Sequence, residues 1–159
     1  MKELEEINEG QIGMAGATDE HNKFQAKFVT YLQMLVWCDK RFKNYDVYSQ
    51  EPVQDDRKTK IPDVSIKDPS KKCVFIIEIA SKLSLDRKKA RVYRETGVDA
   101  EIFVYDYKKD IWYKADPITG ELREGESLSL FLNLQLTKLT NNNVFSLILD
   151  MLKRYYKKL

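Results

Sequence analysis

The sequence predicts an α/β domain in which one mixed β-sheet is flanked by helices. Amphipathic patterns near both ends predict helices, and short β-branched or aromatic runs between them predict strands. One run, residues 73–80, is almost wholly apolar, as in a strand that is covered on both faces. The 159 residues fit one domain, and no linker divides the chain. We therefore expect residues 18–159 to form a single domain, preceded by a flexible N-terminal arm, residues 1–17.

The first predicted element is a helix that runs to about Asp39. Either Thr18 or Asp19 can cap its N-terminus. Apolar residues recur at helical spacing and would face the core, namely Phe24, Phe28, Tyr31, Leu32, Leu35 and Val36.

Short apolar runs predict strands at residues 45–50, 62–66, 73–80, 100–106 and 111–114. The charged turn 55–58 separates the first two strands, and the turn 107–110 makes the last two a hairpin. Residues 128–139 alternate in hydropathy and predict one or two further short strands.

Two more helices follow from the same kind of pattern. The first would cover residues 85–95, capped by Ser84 and ended by Gly97. The second would cover residues 143–158. Its apolar side would consist of Val144, Ile148, Met151, Leu152 and Tyr155.

Composition argues against several kinds of protein. Cys38 and Cys73 lie in apolar surroundings and are expected to be reduced core residues. A single histidine argues against a His-Cys zinc site and against a Ser-His-Asp triad. No apolar run approaches membrane-spanning length, and the acidic N-terminus lacks the apolar core of a signal peptide. We therefore expect a cytoplasmic protein without a membrane partner.

Positive charge is concentrated in two parts of the chain. The formal net charge is only +2, but from Lys71 to Arg94 eight lysines and arginines stand against two acids. A second basic cluster consists of Lys153, Arg154, Lys157 and Lys158. Such clusters suit a polyanionic partner, although solvated helix faces show the same pattern.

Glu78 is the main candidate for a functional residue, because it interrupts the apolar run 73–80. Burying a lone carboxylate costs several kcal/mol or raises its pKa until it takes up a proton. A buried carboxylate is usually found where a nearby cation compensates its charge. The sequence therefore predicts a metal ion, a basic side chain or both beside Glu78.

Asp63 is the second candidate. It alternates with Val64 and Ile66, so its side chain would project from the face opposite to that core pair. On the next strand, one face is expected to carry Val74, Ile76, Glu78 and Ala80. If the two strands pair, the carboxylates of Asp63 and Glu78 converge and repel each other. A bound Mg²⁺ ion usually offsets such repulsion. The alternative is that Asp63 caps a turn while Glu78 pairs with a basic side chain.

The predicted helix 85–95 supplies a basic partner for these acids. Its core-facing stripe is expected to contain Leu85, Lys89, Val92 and, beside it, Tyr93. A lysine in that stripe points at the sheet, where its charge would neutralise the carboxylates. The alternative for Lys89 is a packed stem with the ammonium group in solvent.

These residues together resemble a known family. The matching motifs are Glu20-His21, Pro62-Asp63, Glu78 in its strand, Asp86-Arg87-Lys88-Lys89 with Tyr93, Gly97-Val98 and the strand 101–106. Over about residues 18–140, they are similar to the Uma-type family of bacterial restriction endonucleases, within the PD-(D/E)XK nuclease superfamily. The resemblance implies a restriction-endonuclease-like fold. It also implies a metal-dependent endonuclease that hydrolyses phosphodiester bonds in DNA.

The resemblance assigns roles to the candidate residues. Asp63, Glu78 and the Ile79 carbonyl would hold Mg²⁺, with Mn²⁺ as an alternative ion. Lys89 would orient or deprotonate the attacking water and stabilise charge in the transition state.

This sequence departs from the superfamily signature at one position. The lysine expected two residues after the glutamate is Ala80, and Lys82, which keeps the strand parity of Glu78, is the competing catalytic lysine. Sequence-independent phosphate contacts are expected from Lys71, Lys72, Arg87, Lys88 and Arg91. Glu20 and Glu51 are further acids that could approach the metal, but they are more typical of surface carboxylates.

Two other functions fit the same residues. A catalytically inactive module could keep the fold and bind nucleic acid or a partner protein, with Glu78 and Lys89 as a buried ion pair. A pure interaction protein would show no salt-dependent DNA binding. A homodimer is compatible with the nuclease function, because nucleases that cut both strands often pair.

Overall fold

A mixed β-sheet forms the centre of the protein. The structure, a computed structural model, describes residues 18–53, 60–141 and 144–158. The predicted arm 1–17 and the predicted turn 55–58 lie outside the described residues. The helices are α1 (Asp19–Cys38), α2 (Leu83–Glu95), α3 (Thr137–Thr140) and α4 (Val144–Lys158), with a short 3-10 helix at Lys40–Phe42. The strands are β1 (Asp46–Ser49), β2 (Val64–Lys67), β3 (Cys73–Ala80), β4 (Glu101–Asp106), β5 (Ile111–Ala115), β6 (Leu122–Glu124), β7 (Leu128–Ser129) and β8 (Leu134–Gln135).

Strands β1 to β6 form one sheet in chain order. Neighbouring strands are antiparallel except β3 and β4, which are parallel and are connected through α2. The alternating segment 128–139 forms a separate antiparallel pair, β7 and β8, and the start of α3. This architecture confirms the predicted α/β fold, a mixed sheet flanked by helices.

Each face of the sheet has its own hydrophobic core. On the α1 face, Phe28 and Leu35 are buried together with Ile77 of β3. On the α2 face, Tyr93 is buried together with Ile76 of the same strand. Because β3 is covered on both sides, it is apolar at almost every position, as its sequence predicts.

Helix α1 starts and ends where the sequence predicts. Thr18 is the N-cap, and its Oγ1 accepts the backbone N–H of His21 at 3.1 Å. Asp19 and Glu20 lie in the first turn, where acidic residues are favoured by the helix dipole. The cap therefore fixes His21 in the first turn of α1.

Helix α2 starts earlier than predicted and is rotated. It begins at Leu83 after the N-cap Lys82, so Ser84 lies inside the first turn and does not cap the helix. Leu85, which was expected to face the core, is 41% exposed. The buried residues of this helix are Asp86, Ala90 and Tyr93. The inward face is displaced by about one residue, or roughly 100°, because Leu83 packs against the core in place of Leu85.

A β-bulge near the start of β3 changes the face that Val74 occupies. The β2 residues that pair with Cys73 and Phe75 are adjacent in the chain, so Val74 is left without a partner in this ladder. Val74 packs on the α1 side and Cys73 on the α2 side. The expectation that Val74 shares a face with Glu78 is therefore wrong. Alternation is regular from Phe75 onwards, which keeps Ile76 and Glu78 on the α2 face.

Strand β6 is absent from the sequence prediction. It follows a turn in which the Asp116 carboxylate accepts the backbone N–H groups of Ile118 and Thr119 at 2.8 and 2.9 Å. Gly120 has φ +75°, and a Cβ atom there would lie 2.8 Å from the carbonyl oxygen of Ala90. The turn therefore lies directly against α2. An Asp-Pro pair followed closely by glycine is a turn signal that could have revealed this hairpin.

Helix α4 buries a narrower face than predicted. Leu147 and Met151 are buried in the core that contains residues of α1. The other residues expected on its inner side are 36–45% exposed, namely Val144, Ile148, Leu152 and Tyr155. Although α4 is amphipathic, no helix in the described part of the chain has the length and hydropathy needed to cross a membrane.

Candidate active site

Strands β2 and β3 bring two acidic residues to one point of the sheet. Val64 pairs with Ile77 in the antiparallel register, so one further step places Asp63 opposite Glu78. Asp63 lies immediately before β2, and its Oδ2 accepts the backbone N–H of Ile79 at 2.7 Å. This hydrogen bond fixes the Asp63 carboxylate beside β3.

The Glu78 side chain is 1% exposed and is held by two residues of α2. Its Oε1 accepts the hydroxyl of Tyr93 and its Oε2 accepts the ammonium group of Lys89, each at 2.8 Å. Burial raises the pKa of Glu78 to about 8; Lys89 opposes this shift, and repulsion from Asp63 and Asp86 adds to it. A further cation near Glu78 would therefore favour the ionised form of its carboxyl group.

The ammonium group of Lys89 is fixed by two bonds. Besides Glu78, it donates to the carbonyl oxygen of Ile61 at 2.7 Å, and its side chain is 22% exposed. Burial alone would lower the pKa of Lys89, but attraction by Glu78 and Asp63 raises it above the ordinary value. Lys89 therefore carries a positive charge directed at the acids, and its ammonium group does not extend into solvent.

Asp86 is a third acid at the site, and no role was predicted for it, although it opens the motif Asp86-Arg87-Lys88-Lys89. Its side chain is buried, and burial raises its pKa to about 7; Lys89 opposes this shift, while Asp63 adds to it. Asp86, Lys89 and Tyr93 follow one another at intervals of three and four residues, which places them on one side of a helix. This spacing is the signal that could have identified Asp86.

Helix α1 contributes two polar residues for which no role at the site was predicted, although His21 belongs to the motif Glu20-His21. His21 Nε2 lies 3.4 Å from Asp63 Oδ2, and Gln25 Nε2 donates to the Asp63 carbonyl at 2.9 Å. The hydrogen bond with Asp63 raises the pKa of His21, although burial opposes the shift. Burial would raise the pKa of Asp63, but His21, Lys89 and the Ile79 N–H together lower it below the ordinary value. Asp63 is therefore the acid that stays ionised.

The donor atoms at the site have the chemistry that Mg²⁺ prefers. Within the described ranges, no three His, Cys, Asp or Glu side chains form a ready-made metal-binding group. Mg²⁺ commonly uses only one or two protein carboxylates, together with waters and substrate phosphates. Asp63 and Glu78 could therefore serve as carboxylate ligands of such an ion, and the backbone carbonyl of Ile79 could add a third oxygen.

Comparison with known proteins shows a likeness to a solved structure. No family model and no curated protein matches the sequence. A crystal structure described as "a putative nuclease belonging to DUF820", from Anabaena variabilis, is similar in three dimensions, with a TM-score of 0.56. The likeness covers 82% of this chain and 83% of that chain, at 15% sequence identity.

The two chains share a fold. The mixed sheet and its flanking helices are thus the α/β fold of that neighbour as well. At this level of identity the likeness concerns the fold alone. The narrower resemblance to the Uma-type family stays a prediction from the sequence motifs.

The structure brings together some predicted site residues and separates others. Asp63, Glu78 and Lys89 meet at one point, whereas Lys82 is exposed at the N-cap of α2. The basic residues Arg87, Lys88 and Arg91 are exposed on α2, and the acids Glu20 and Glu51 are exposed elsewhere.

Lys71 and Lys72 lie at the other end of β3 from Glu78. Six residues along a strand correspond to about 20 Å between Lys72 and Glu78. Lys71 Nζ lies 3.4 Å from the carboxylate of Asp46, and Lys72 Nζ lies 3.8 Å from that of Asp99. A phosphate contact at these two lysines would therefore be remote from the acids.

Proposed function

We propose that the protein is a Mg²⁺-dependent endonuclease that hydrolyses phosphodiester bonds in DNA. The observation that carries this proposal is the Lys89 ammonium group, bonded to Glu78 at 2.8 Å beside the ionised Asp63. Opposite charges held in a buried site are suited to stabilising charge that develops on a phosphate group. The nuclease-like fold supports the same conclusion.

Asp63 and Glu78 would hold the ion, together with the carbonyl of Ile79. When bound, Mg²⁺ supplies Lewis-acid activation of the phosphodiester and of water. Mn²⁺ has the same preference for oxygen ligands and is expected to replace it. Asp86 lies close enough to Asp63 and Lys89 to influence both, and we assign it to the same acidic site.

Lys89 would orient the attacking water and offset negative charge in the transition state. Its two hydrogen bonds, to Glu78 and Ile61, hold the ammonium group in one position before substrate binds. Such preorganisation means that the charge does not have to be moved into place during the reaction.

DNA would approach along the outer side of α2. The exposed residues Arg87, Lys88 and Arg91 belong to the same helix as Lys89, so phosphate contacts there would position the strand over the acids. Lys71 and Lys72 would extend the contact surface to the far end of β3.

Cys38 and Cys73 are free thiols, as the proposed cytoplasmic location requires.

One observation favours a second function. In it, the protein is a catalytically inactive nuclease-fold module that binds nucleic acid or a protein. Both oxygens of Glu78 already have partners, Lys89 and Tyr93. An acid satisfied in this way can serve as one half of a structural ion pair. Mg²⁺ or Mn²⁺ separates the two functions, because neither ion should raise the melting temperature of such a module.

The deciding experiment is cleavage of supercoiled plasmid DNA by the purified protein with Mg²⁺, with Mn²⁺ and with EDTA. Asp63→Asn and Glu78→Gln preserve side-chain shape, and each should lower the cleavage rate at least about 100-fold. Circular dichroism should show that both variants remain folded. Cleavage that persists in either folded variant, or in EDTA, would reject the proposed site.

The ion pair between Lys114 and Glu101 provides a matched control. Lys114 Nζ lies 3.0 Å from Glu101 Oε2, and both side chains are 17% exposed. Lys114→Met should lower stability as a structural ion-pair variant does, yet the folded protein should cleave DNA at the wild-type rate. Equal loss of cleavage in this variant and in Lys89→Met would indicate a general effect of stability.

A further inference from the structure

The outer face of α4 is apolar and exposed. Beyond the two buried residues of this helix, four large side chains are 41–67% exposed, namely Phe145, Leu149, Leu152 and Tyr156. Ile148 and Tyr155 flank them and are also exposed. We call Phe145, Leu149, Leu152 and Tyr156 the seam. An exposed apolar strip of this kind marks a surface that another molecule covers.

The spacing of the seam is that of a helix that pairs with another helix. Its members follow one another at intervals of four, three and four residues, as in the apolar positions of a coiled coil. This order of intervals is the same when it is read backwards. An antiparallel second copy would therefore place Phe145 against the partner's Tyr156, and Leu149 against the partner's Leu152.

The charges of α4 favour the antiparallel arrangement. The first half of the helix, residues 144–149, carries no charged side chain, whereas Lys153 and Lys157 are exposed in the second half. Two parallel copies would bring these lysines together, which costs energy through like-charge repulsion. Antiparallel copies place each basic half beside an uncharged half, and the lysine stems can cover apolar surface there.

A groove beside the seam fits the same arrangement. It has a volume of about 970 Å³. Its lining includes Leu149, Leu152 and Tyr156 of the seam, and also the charged residues Asp39, Lys40, Arg41, Asp150, Lys153, Arg154 and Lys157. Antiparallel pairing brings the partner's Phe145 to Tyr156, next to this groove. The aromatic ring therefore has a recess to enter.

We propose that α4 is a homodimer interface, in which the seam of one copy packs antiparallel against the seam of a second copy of this chain. Six half-exposed large side chains amount to roughly 500 Å² of apolar surface per copy. A standard interface buries about 800 Å² per partner, so lysine stems and the groove would supply the remainder. The dimer is accordingly one of modest strength that depends on protein concentration.

The test is sedimentation equilibrium of the full chain over a series of concentrations. Wild-type protein should show a monomer–dimer equilibrium, and L149K or L152E alone should weaken dimerisation at least about tenfold. An equimolar mixture of L149K and L152E should restore dimers. In an antiparallel pair the introduced lysine faces the introduced glutamate, while the remaining two leucines face each other.

The leucine outside the seam gives a matched control. Leu130 is 74% exposed between β7 and β8, and L130K should leave the monomer–dimer equilibrium unchanged. Melting curves followed by circular dichroism should show that each variant is folded, since all three positions are exposed.

Several results would overturn the proposal. Wild-type protein that stays monomeric, or a dimer that L149K does not weaken, would remove the seam as an interface. Restoration by mixing L149K with L149E, but not with L152E, would indicate parallel pairing. Monomers that float with vesicles of phosphatidylcholine and phosphatidylserine would identify α4 as a membrane-surface helix instead.

Discussion

The ammonium group of Lys89 lies 2.8 Å from the Glu78 carboxylate and joins α2 to the third strand of the sheet. The Glu78 side chain of this pair is almost completely excluded from solvent, since it is 1% exposed. Removing Lys89 would raise the pKa of Glu78 further, because Lys89 opposes the upward shift that burial causes. Tests of function therefore have to separate lost charge from lost stability.

Replacing Lys89 should impair catalysis more than replacing Lys82. Lys89→Met keeps the packed stem and removes the charge beside Glu78, so kcat should fall by about 100-fold or more. Lys82→Met changes an exposed residue at the helix N-cap and should leave kcat nearly unchanged. Steady-state cleavage of a labelled duplex measures both. The opposite ranking would assign the catalytic role to Lys82.

The stability of the metal-free protein should fall as pH rises from about 5 to 8. Burial raises the pKa of Glu78 from 4.5 to about 8 and that of Asp86 from 3.8 to about 7. In this window the folded state therefore binds more protons than the unfolded state. Each group contributes a slope of up to about 1.4 kcal/mol per pH unit. Urea denaturation in EDTA at several pH values measures the slope.

The variant Glu78→Gln provides the control for this pH dependence. It cannot ionise, so the slope should decrease by the contribution of one group. A free energy of unfolding that is flat or rises between pH 5 and 8 in the wild type would contradict the raised pKa values.

Mg²⁺ should raise the melting temperature of the wild-type protein. An ion that binds only the folded state stabilises it by about 2.7 kcal/mol at a concentration 100 times its Kd. The effect should be larger at pH 8 than at pH 6, because Glu78 must lose its proton to bind the ion. Asp63→Asn should abolish it. Differential scanning calorimetry at constant ionic strength provides the measurement.

No change in melting temperature with Mg²⁺ or Mn²⁺ would favour the inactive module. The variant Lys114→Met, with its ion pair away from the acids, should keep the full response to the ion. A response that is equal in Asp63→Asn and in the wild type would place ion binding elsewhere on the protein.

The two basic regions should differ in their effect on DNA binding. Replacing Arg87, Lys88 and Arg91 by glutamine should weaken binding and lower the slope of log Kd against log salt by about 0.9 per lost phosphate contact. Replacing Lys71 and Lys72 should have a smaller effect, because they lie about 20 Å along β3 from Glu78. Fluorescence anisotropy in EDTA measures binding without cleavage. Unchanged binding in the first variant would move the DNA surface away from α2.

Local patterns predicted the positions of the two main acids. Asp63 and Glu78 lie on consecutive strands, and consecutive strands often pair, so alternation along each strand was sufficient to bring them together. Lys89 was predicted to face the sheet from its helical position, and it does so although the helix is rotated by one residue. The prediction for Lys89 holds despite this rotation, because the long side chain of a lysine can still reach the sheet.

Residues that reach the site through long-range packing were not assigned to it, although Glu20-His21 is one of the motifs that resemble the family. His21 and Gln25 lie some forty residues before Asp63 in the chain, and only the packing of α1 on the sheet brings them to it. The bulge at Val74 and the burial of Asp86 were missed for a related reason. Both depend on how neighbouring elements fit together, which hydropathy along one element does not contain.

Gly120 lies in the hairpin between the fifth and sixth strands, far in sequence from the acids of the site. It nevertheless affects the position of α2, which carries Lys89. Its missing side chain lets the turn rest on the backbone of α2 at Ala90, next to Lys89. An added methyl group would meet that carbonyl at 2.8 Å and would also disfavour the positive φ angle. Either the turn or the helix would have to shift, and a shift of the helix would move the ammonium group away from its acid. A screen for inactive mutants should therefore recover changes in this surface loop as well as in the charged residues themselves.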